Sequence, residues 1–440
     1  MTAVERFREL LSIPTVSRID SAEVDDSAFE DFHAALERLY PLVHARLERE
    51  VVEGRSLLYR WVGESPVEPL VLLAHQDVVP VDGQEWGHPP FAADLVGEGA
   101  EATIHARGAI DDKGALVAIL EAVEGALAEG ITPRTDVWLA FGHDEETRGT
   151  GARAMAALLA ARGIRPALVL DEGGAVVEGA VPGVGAPTAM IGVAERGVAT
   201  FDLVTREAGG HASTPPRMPA TARLARAIDR LRRRPFPRRL VPPVRAMLAT
   251  AASHTGEPLA TLFRRTSVSA PAVTAALSLL GPETNALVRT TAVVTRLEGS
   301  AGENVLATSA RASVNVRLLT GDMLADVSIH LRRAVADPLV DIELRHGDDP
   351  SPVSPWHGEA WRRLSRAVTD TLGADTVPLP YLQLGASDSR FYTGLTDAVY
   401  RFAPFHLTRA ERDALHAPDE RIRVEVWLRG IRFYRALIEG

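Results

Sequence analysis

Apolar residues along this chain fall into two patterns. Continuous runs, such as LVLLA after Pro69, predict strands covered on both faces. Apolar positions three and four apart, such as Phe29, Phe32, Ala35, Leu36 and Leu39, predict an amphipathic helix over 27–40. On this basis strands fall at 56–62, 70–79, 136–142 and 167–170, with helices at 113–129 and 151–162. Gly130 and Gly163 stop the two helices. Strand–helix alternation of this kind predicts an α/β fold with a mostly parallel sheet and helices on both faces.

The pattern changes near residue 192. Residues 198–205 alternate like a half-exposed strand, 220–234 read as an amphipathic helix closed by Pro235, and 291–298 and 310–319 read as strands. This block predicts an inserted α+β unit. From about 310 the alternation resumes, with a helix at 359–372, strands near 378–382 and 398–402, and a last helix from about 424 to 438. The expected organisation is a discontinuous domain, 1–192 plus 309–440, around an inserted domain at 193–308. The arginine run RLRRRPFPRR at 230–239 reads as a solvated helix end, where cations offset the helix dipole.

Composition narrows the chemistry. The 440 residues include no cysteine, which excludes disulfides, thiolate metal sites and a cysteine nucleophile. Any metal must be held by the 13 histidines and by carboxylates. A net charge of -10 argues against a nucleic-acid partner. No stretch is apolar and long enough to span a membrane, and the charged first residues lack the apolar stretch of a secretory signal. The expected location is cytoplasmic. Of the 48 cations only Lys113 is a lysine, which predicts a position where arginine does not fit.

Residues with ligand chemistry interrupt the strands at their C-terminal ends, the edge where open α/β sheets bind ligands. His75 and Asp77 close one strand, two apart and so on one face, where Asp77 can orient the imidazole. Asp111 and Asp112 open a helix, where either suits an N-cap and the dipole favours anions. Asp144, Glu145 and Glu146 follow the strand that ends at Gly142, and their mutual repulsion calls for a bound cation. Asp171 and Glu172 follow a fourth strand. His416 stands before the last helix and is preferred to its rival His406. Asp388, in ASDSRFY, reads as a helix cap.

The strings LLAHQDVVPV, WGHPPF, ARGAIDDKGA, GHDEETRGTGA, LDEGG, GGHASTPP, ENVLATSARASVNVRL, LGASDSRFY and HAPDE span residues 70–420. In that order they resemble the zinc-dependent aminoacylase/carboxypeptidase family of metallopeptidases, with the closest likeness to its carboxypeptidase S and N-acyl-amino-acid hydrolase branch. The resemblance implies a catalytic domain holding two Zn2+ ions per chain, with Co2+ or Mn2+ as substitutes. It implies that His75 and Asp171 hold one ion, that Glu146 and His416 hold the other, and that Asp111 bridges both and is followed by a cis peptide to Asp112. Asp77 would orient His75 and Glu145 would be the general base. The inserted block would be a lid or dimerisation domain, giving a homodimer in which His211 serves a neighbouring site. Arg317, Asn304 and Gly385 would contact substrate.

The implied chemistry is self-consistent. Two zinc ions bring the pKa of a bound water towards about 7 and polarise a carbonyl. Glu145 can move the water's proton to the leaving nitrogen, and His211 can donate to the oxyanion. An arginine matches a substrate carboxylate. The expected reaction is hydrolysis of an amide or peptide bond beside a free α-carboxylate, in a small peptide or an N-acyl amino acid. The alternative is a metal-binding regulatory or carrier protein without turnover. The complete set of catalytic positions favours the enzyme.

Overall fold

The computed structural model describes residues 1–440. Eight strands form the large sheet. Their spatial order is Glu48–Val52, Ser56–Trp61, Thr135–Gly142, Ser65–His75, Leu168–Val177, Val399–His406, Thr188–Glu195 and Val377–Gln383. The central pairings, Ser65–His75 with Thr135–Gly142 and with Leu168–Val177, are parallel, and Leu168–Val177 with Val399–His406 is parallel too. Antiparallel pairs join the first three strands at the hairpin edge, and Thr188–Glu195 runs antiparallel to Val399–His406 and Leu168–Val177.

Double coverage explains the continuous apolar runs. Leu70, Leu72 and Ala74 enter the larger core with the helices Lys113–Ala128 and Val424–Glu439. Val71 and Leu73 enter a smaller core on the other face, with Met155 and Leu159 of the helix Thr150–Ala161. No helix is long and apolar enough to cross a membrane.

A second, antiparallel sheet has the order Thr291–Glu298, Ser309–Leu318, Gly197–Arg206, Val340–Asp348. The helices Ala220–Arg233 and Leu324–Val335 close its core around Phe201, Leu224, Val314, Val316 and Leu331. The expected return of the chain at residue 309 is therefore displaced. Ser309–Leu318 is an interior strand of the small sheet, and the chain leaves that sheet only after Asp348. Its period-two alternation suits either sheet, and long-range pairing with Gly197–Arg206 decides between them. The helices within 242–280 depart from the expected insert in the opposite sense. Val244, Met247, Leu248 and Leu277 belong to the larger core, so this stretch covers the large unit.

The lone lysine has a defined place. Lys113 is fully buried, and its Nζ donates to the carbonyls of Leu10 at 3.2 Å and Ile13 at 2.6 Å. It also lies 4.7 Å from the centre of the Phe32 ring. Burial brings its ammonium down to about 7. Nζ satisfies a last-turn carbonyl of the helix Ala3–Leu11, tying that helix to the Asp111–Asp112 turn. A larger planar guanidinium would overpack this pocket. Lys113→Arg is expected to destabilise the chain by about 1–3 kcal/mol in urea unfolding. An unchanged midpoint would show that the pocket accepts arginine.

Candidate metal centre

The C-terminal edge of the large sheet brings five ligand-type side chains together. His75 ends its strand, with its Nε2 3.0 Å from Asp111 Oδ1 and 3.9 Å from Glu172 Oε1. His416 approaches from the opposite side, with its Nε2 2.9 Å from Asp111 Oδ2 and 3.1 Å from Glu146 Oε1. Two triads result, His75–Asp111–Glu172 and Asp111–Glu146–His416, each with its donor atoms within 4.8 Å of one another. The Asp111–Asp112 peptide is cis.

Each member of the polar run after Gly142 has a separate task. His143 Nδ1 bonds Ser56 Oγ at 2.7 Å. Asp144 accepts from the N–H groups of Thr150 and Gly151 at 2.9 and 3.0 Å, closing the start of the helix Thr150–Ala161. Asp77 is fully buried and accepts the backbone N–H groups of Glu145 and Glu146, both at 3.2 Å. Its Oδ1 is also 3.3 Å from His75 Nδ1, and its carbonyl bonds the same nitrogen at 2.9 Å. One carboxylate thus sets the imidazole and the Glu145–Glu146 backbone together. Gly149, with φ +63°, must be glycine: a Cβ there would lie 2.5 Å from Asp388 Oδ1.

At one position the triads hold Glu172, the neighbour of the expected ligand. Asp171 is not in either triad. Its oxygens accept the backbone N–H groups of Glu172 at 2.9 Å and Ser389 at 2.6 Å. The strand's period of two separates the pair. Leu168 and Leu170 face the larger core and Val169 the smaller one. Glu172 continues the first set and Asp171 the second.

Two further residues were missed or misread. Glu420 is fully buried, pairs with Arg107 Nη1 at 2.6 Å, and accepts the N–H groups of Gly108, Ile110 and Asp111 at 3.1, 2.8 and 3.1 Å. It locks the HAPDE loop to the Asp111 turn and so sets His416 against Asp111. An acid four residues after the histidine was its only local signal. Asp388 is not a cap: the short helix Asp388–Tyr392 takes Ser387 as its N-cap residue, without a side-chain cap bond. Asp388 is instead buried, with Oδ1 lacking a partner.

The outer residues stand apart from the triads. His406 lies by Glu178, 3.4 Å away. His211 is exposed on the ribbon Gly210–His211, bonded to Ser213 Oγ, and Asn304 meets that ribbon through its carbonyl. Arg317 lies on the interior strand of the small sheet, and its Nε donates to Asn315 at 3.3 Å. Gly385 follows the strand Val377–Gln383. None of these bonds to a triad residue.

Electrostatics favour a cation between the triads. Burial, then repulsion from Asp388, pushes Glu145 well above the usual carboxylate range. Burial, then repulsion from Asp111, does the same to Glu172. Burial also raises Asp111, but its hydrogen bonds from His416 and His75 prevail and carry it far below. Hydrogen bonds to Asp111 and Glu146 raise His416 to about 10. Two imidazoles with several crowded carboxylates form a donor set that suits zinc and similar divalent ions. The imidazole–carboxylate contacts of His75, Asp111, Glu146 and His416 lie where a cation would be held, so the residues fit the metal site.

The sign of the pH dependence follows. In the metal-free chain the His416 contacts stabilise the fold fully below pH 6.5, and this is lost as pH rises through about 10. A cation needs the neutral imidazole, so metal affinity rises over the same window. Calorimetric titration with zinc in buffers of different ionisation heat should show proton release at pH 7 that shrinks towards pH 10. Release independent of pH would exclude His416 as a ligand.

Residues 71–440 match Peptidase family M20/M25/M40. The chain belongs to this family. Among M20 relatives, the N-fatty-acyl-amino acid synthase/hydrolase PM20D1 of Xenopus tropicalis is 33% identical, over 99% of this chain and 85% of that protein. The Homo sapiens PM20D1 is 31% identical over 99% and 87%, and the probable carboxypeptidase S-like 2 of Dictyostelium discoideum is 32% identical over 99% and 84%. Among solved structures, the M20 family metallo-carboxypeptidase Sso-CP2 from Sulfolobus solfataricus aligns with a TM-score of 0.70 at 18% identity, covering 100% of this chain and 98% of that one. The dinuclear metal-binding M20 peptidase YXEP of Bacillus subtilis aligns at 0.60 and 14%, covering 99% and 96%. This M20 chain is a metal-dependent hydrolase of the peptidase and amidohydrolase class.

Proposed function

We propose that the chain hydrolyses the amide bond of N-acyl amino acids that carry a free α-carboxylate, using two divalent cations, zinc foremost. The observation that carries this reading is the division of Asp111. Its Oδ1 serves the His75 triad and its Oδ2 the His416 triad. That division is what a bridging ligand requires. Bound cations would supply polarisation of the scissile carbonyl and acidification of water.

The chain's own residues supply the rest. Glu145 belongs to neither triad, and its backbone is held by Asp77, so its carboxylate is free to take a proton from water and pass it to the leaving nitrogen. Arg317 is half-buried and has no carboxylate partner, which suits it to a substrate carboxylate. The names of the PM20D1 relatives support an acyl group on the nitrogen.

The test is a kcat/KM panel of N-acyl amino acids, dipeptides and their C-terminally amidated forms on the zinc-loaded enzyme. Amidation of the α-carboxylate is expected to cost about 10–100-fold. Equal turnover of amidated substrates would remove the carboxylate clamp. Dipeptides outpacing every N-acyl amino acid would reject the acyl assignment.

A further inference from the structure

A cleft of about 620 Å³ lies away from the metal centre, where the chain passes between the two sheet units. Phe236 on its wall belongs to the core of the small unit and Leu240 to the core of the large one. Arg289 on the same wall immediately precedes the strand Thr291–Glu298. The chain thus crosses between the units twice along this cleft.

Most of its cations have no carboxylate partner. Elsewhere arginines of this acidic chain find carboxylates, as Arg223 does with Glu207 and Asp337, and Arg206 with Asp341. Four arginines line the cleft, and only Arg239 has such a partner, Asp322 at 2.8 Å. Arg245 donates to the carbonyls of Leu240 and Thr266, both at 3.2 Å. Arg289 reaches only Ser278 Oγ, at 3.3 Å, and its Nε is buried without a partner. The Arg238 side chain bonds nothing. Three arginines thus line one space with no carboxylate of the chain paired to them. A buried N–H without an acceptor costs about 1–3 kcal/mol, which a ligand oxygen would recover. Apolar surface from Phe236, Leu240 and Pro271 lines the same space.

We propose that this cleft binds an amphiphilic anion, with an oxyanion head on Arg238, Arg245 and Arg289 and an apolar body against Phe236, Leu240 and Pro271. The volume exceeds what an inorganic anion needs and falls within the range of small-molecule sites. The site is separate from the triads and does not depend on the reaction proposed above.

Octanesulfonate is a suitable probe, because sulfonates are poor zinc ligands. Calorimetry on the metal-loaded, full-length chain should show octanesulfonate binding, with inorganic sulfate weaker and octanol silent. Arg238→Gln with Arg289→Gln should weaken octanesulfonate by about tenfold or more, with kcat/KM measured without probe unchanged. A second variant, Ala270→Glu, places a carboxylate on the cleft wall and should abolish binding by pairing the arginines internally. Octanesulfonate binding that both variants retain, or no binding to the wild type, would overturn the proposal. Sulfate binding as tightly as octanesulfonate would overturn the amphiphile assignment.

Discussion

Glu145→Ala is expected to lower kcat by about 10²–10⁴-fold, the usual contribution of a positioned general base, with two metal ions still bound. The two halves of this expectation rest on different observations. Metal retention follows because Glu145 lies outside both triads. Loss of turnover follows because the neighbouring carboxylates of the same loop and strand end are committed: Asp144 is spent on Thr150 and Gly151, and Asp77 on the backbone of Glu145 and Glu146. Asp77 does not use the Glu145 side chain, so truncating that side chain leaves His75 held as before. Elemental analysis beside steady-state kinetics separates the two halves. Turnover retained at the wild-type rate would place the base elsewhere. Turnover lost together with one ion would make Glu145 a ligand instead.

The second large effect concerns adjacent residues. Glu172→Ala should reduce bound metal from two ions to one and remove activity almost entirely. Asp171→Ala should keep both ions. Its cost should appear as stability, about 1–3 kcal/mol, because the backbone N–H groups of Glu172 and Ser389 lose a buried acceptor. The pair is informative because local chemistry does not distinguish the two carboxylates. Metal content, activity and urea midpoints measured together decide the matter. Loss of an ion in Asp171→Ala with two retained in Glu172→Ala would reverse the assignment.

Much of the fold was legible because its signals are local. The apolar run at 70–74 implies a strand covered on both sides, and the helices after Asp112 and Gly149 begin and end near where turn residues place them. His75, Asp111, Glu146 and His416 were legible because each lies within a distinctive string, His75 at a strand end, Asp111 just before a helix, and Glu146 and His416 in the loops that follow a strand and a short helix. Glu420 was not, since its partners are Arg107 and the backbone of 108–111, more than 300 residues earlier.

By itself the sequence determined the alternating elements, the ligand types left once cysteine is absent, and four of the five residues that meet in the triads. Only the tertiary structure decided the rest. It brought Glu172, and not Asp171, within reach of His75 and Asp111, because facing on a strand depends on which core each side meets. It kept Ser309–Leu318 in the small sheet, because an alternating strand is claimed by its hydrogen-bonded partner. It buried the one lysine beneath the metal turn, against carbonyls about a hundred residues away. In each case the deciding interaction joins residues far apart in the chain, and periodicity along the chain carries no record of it.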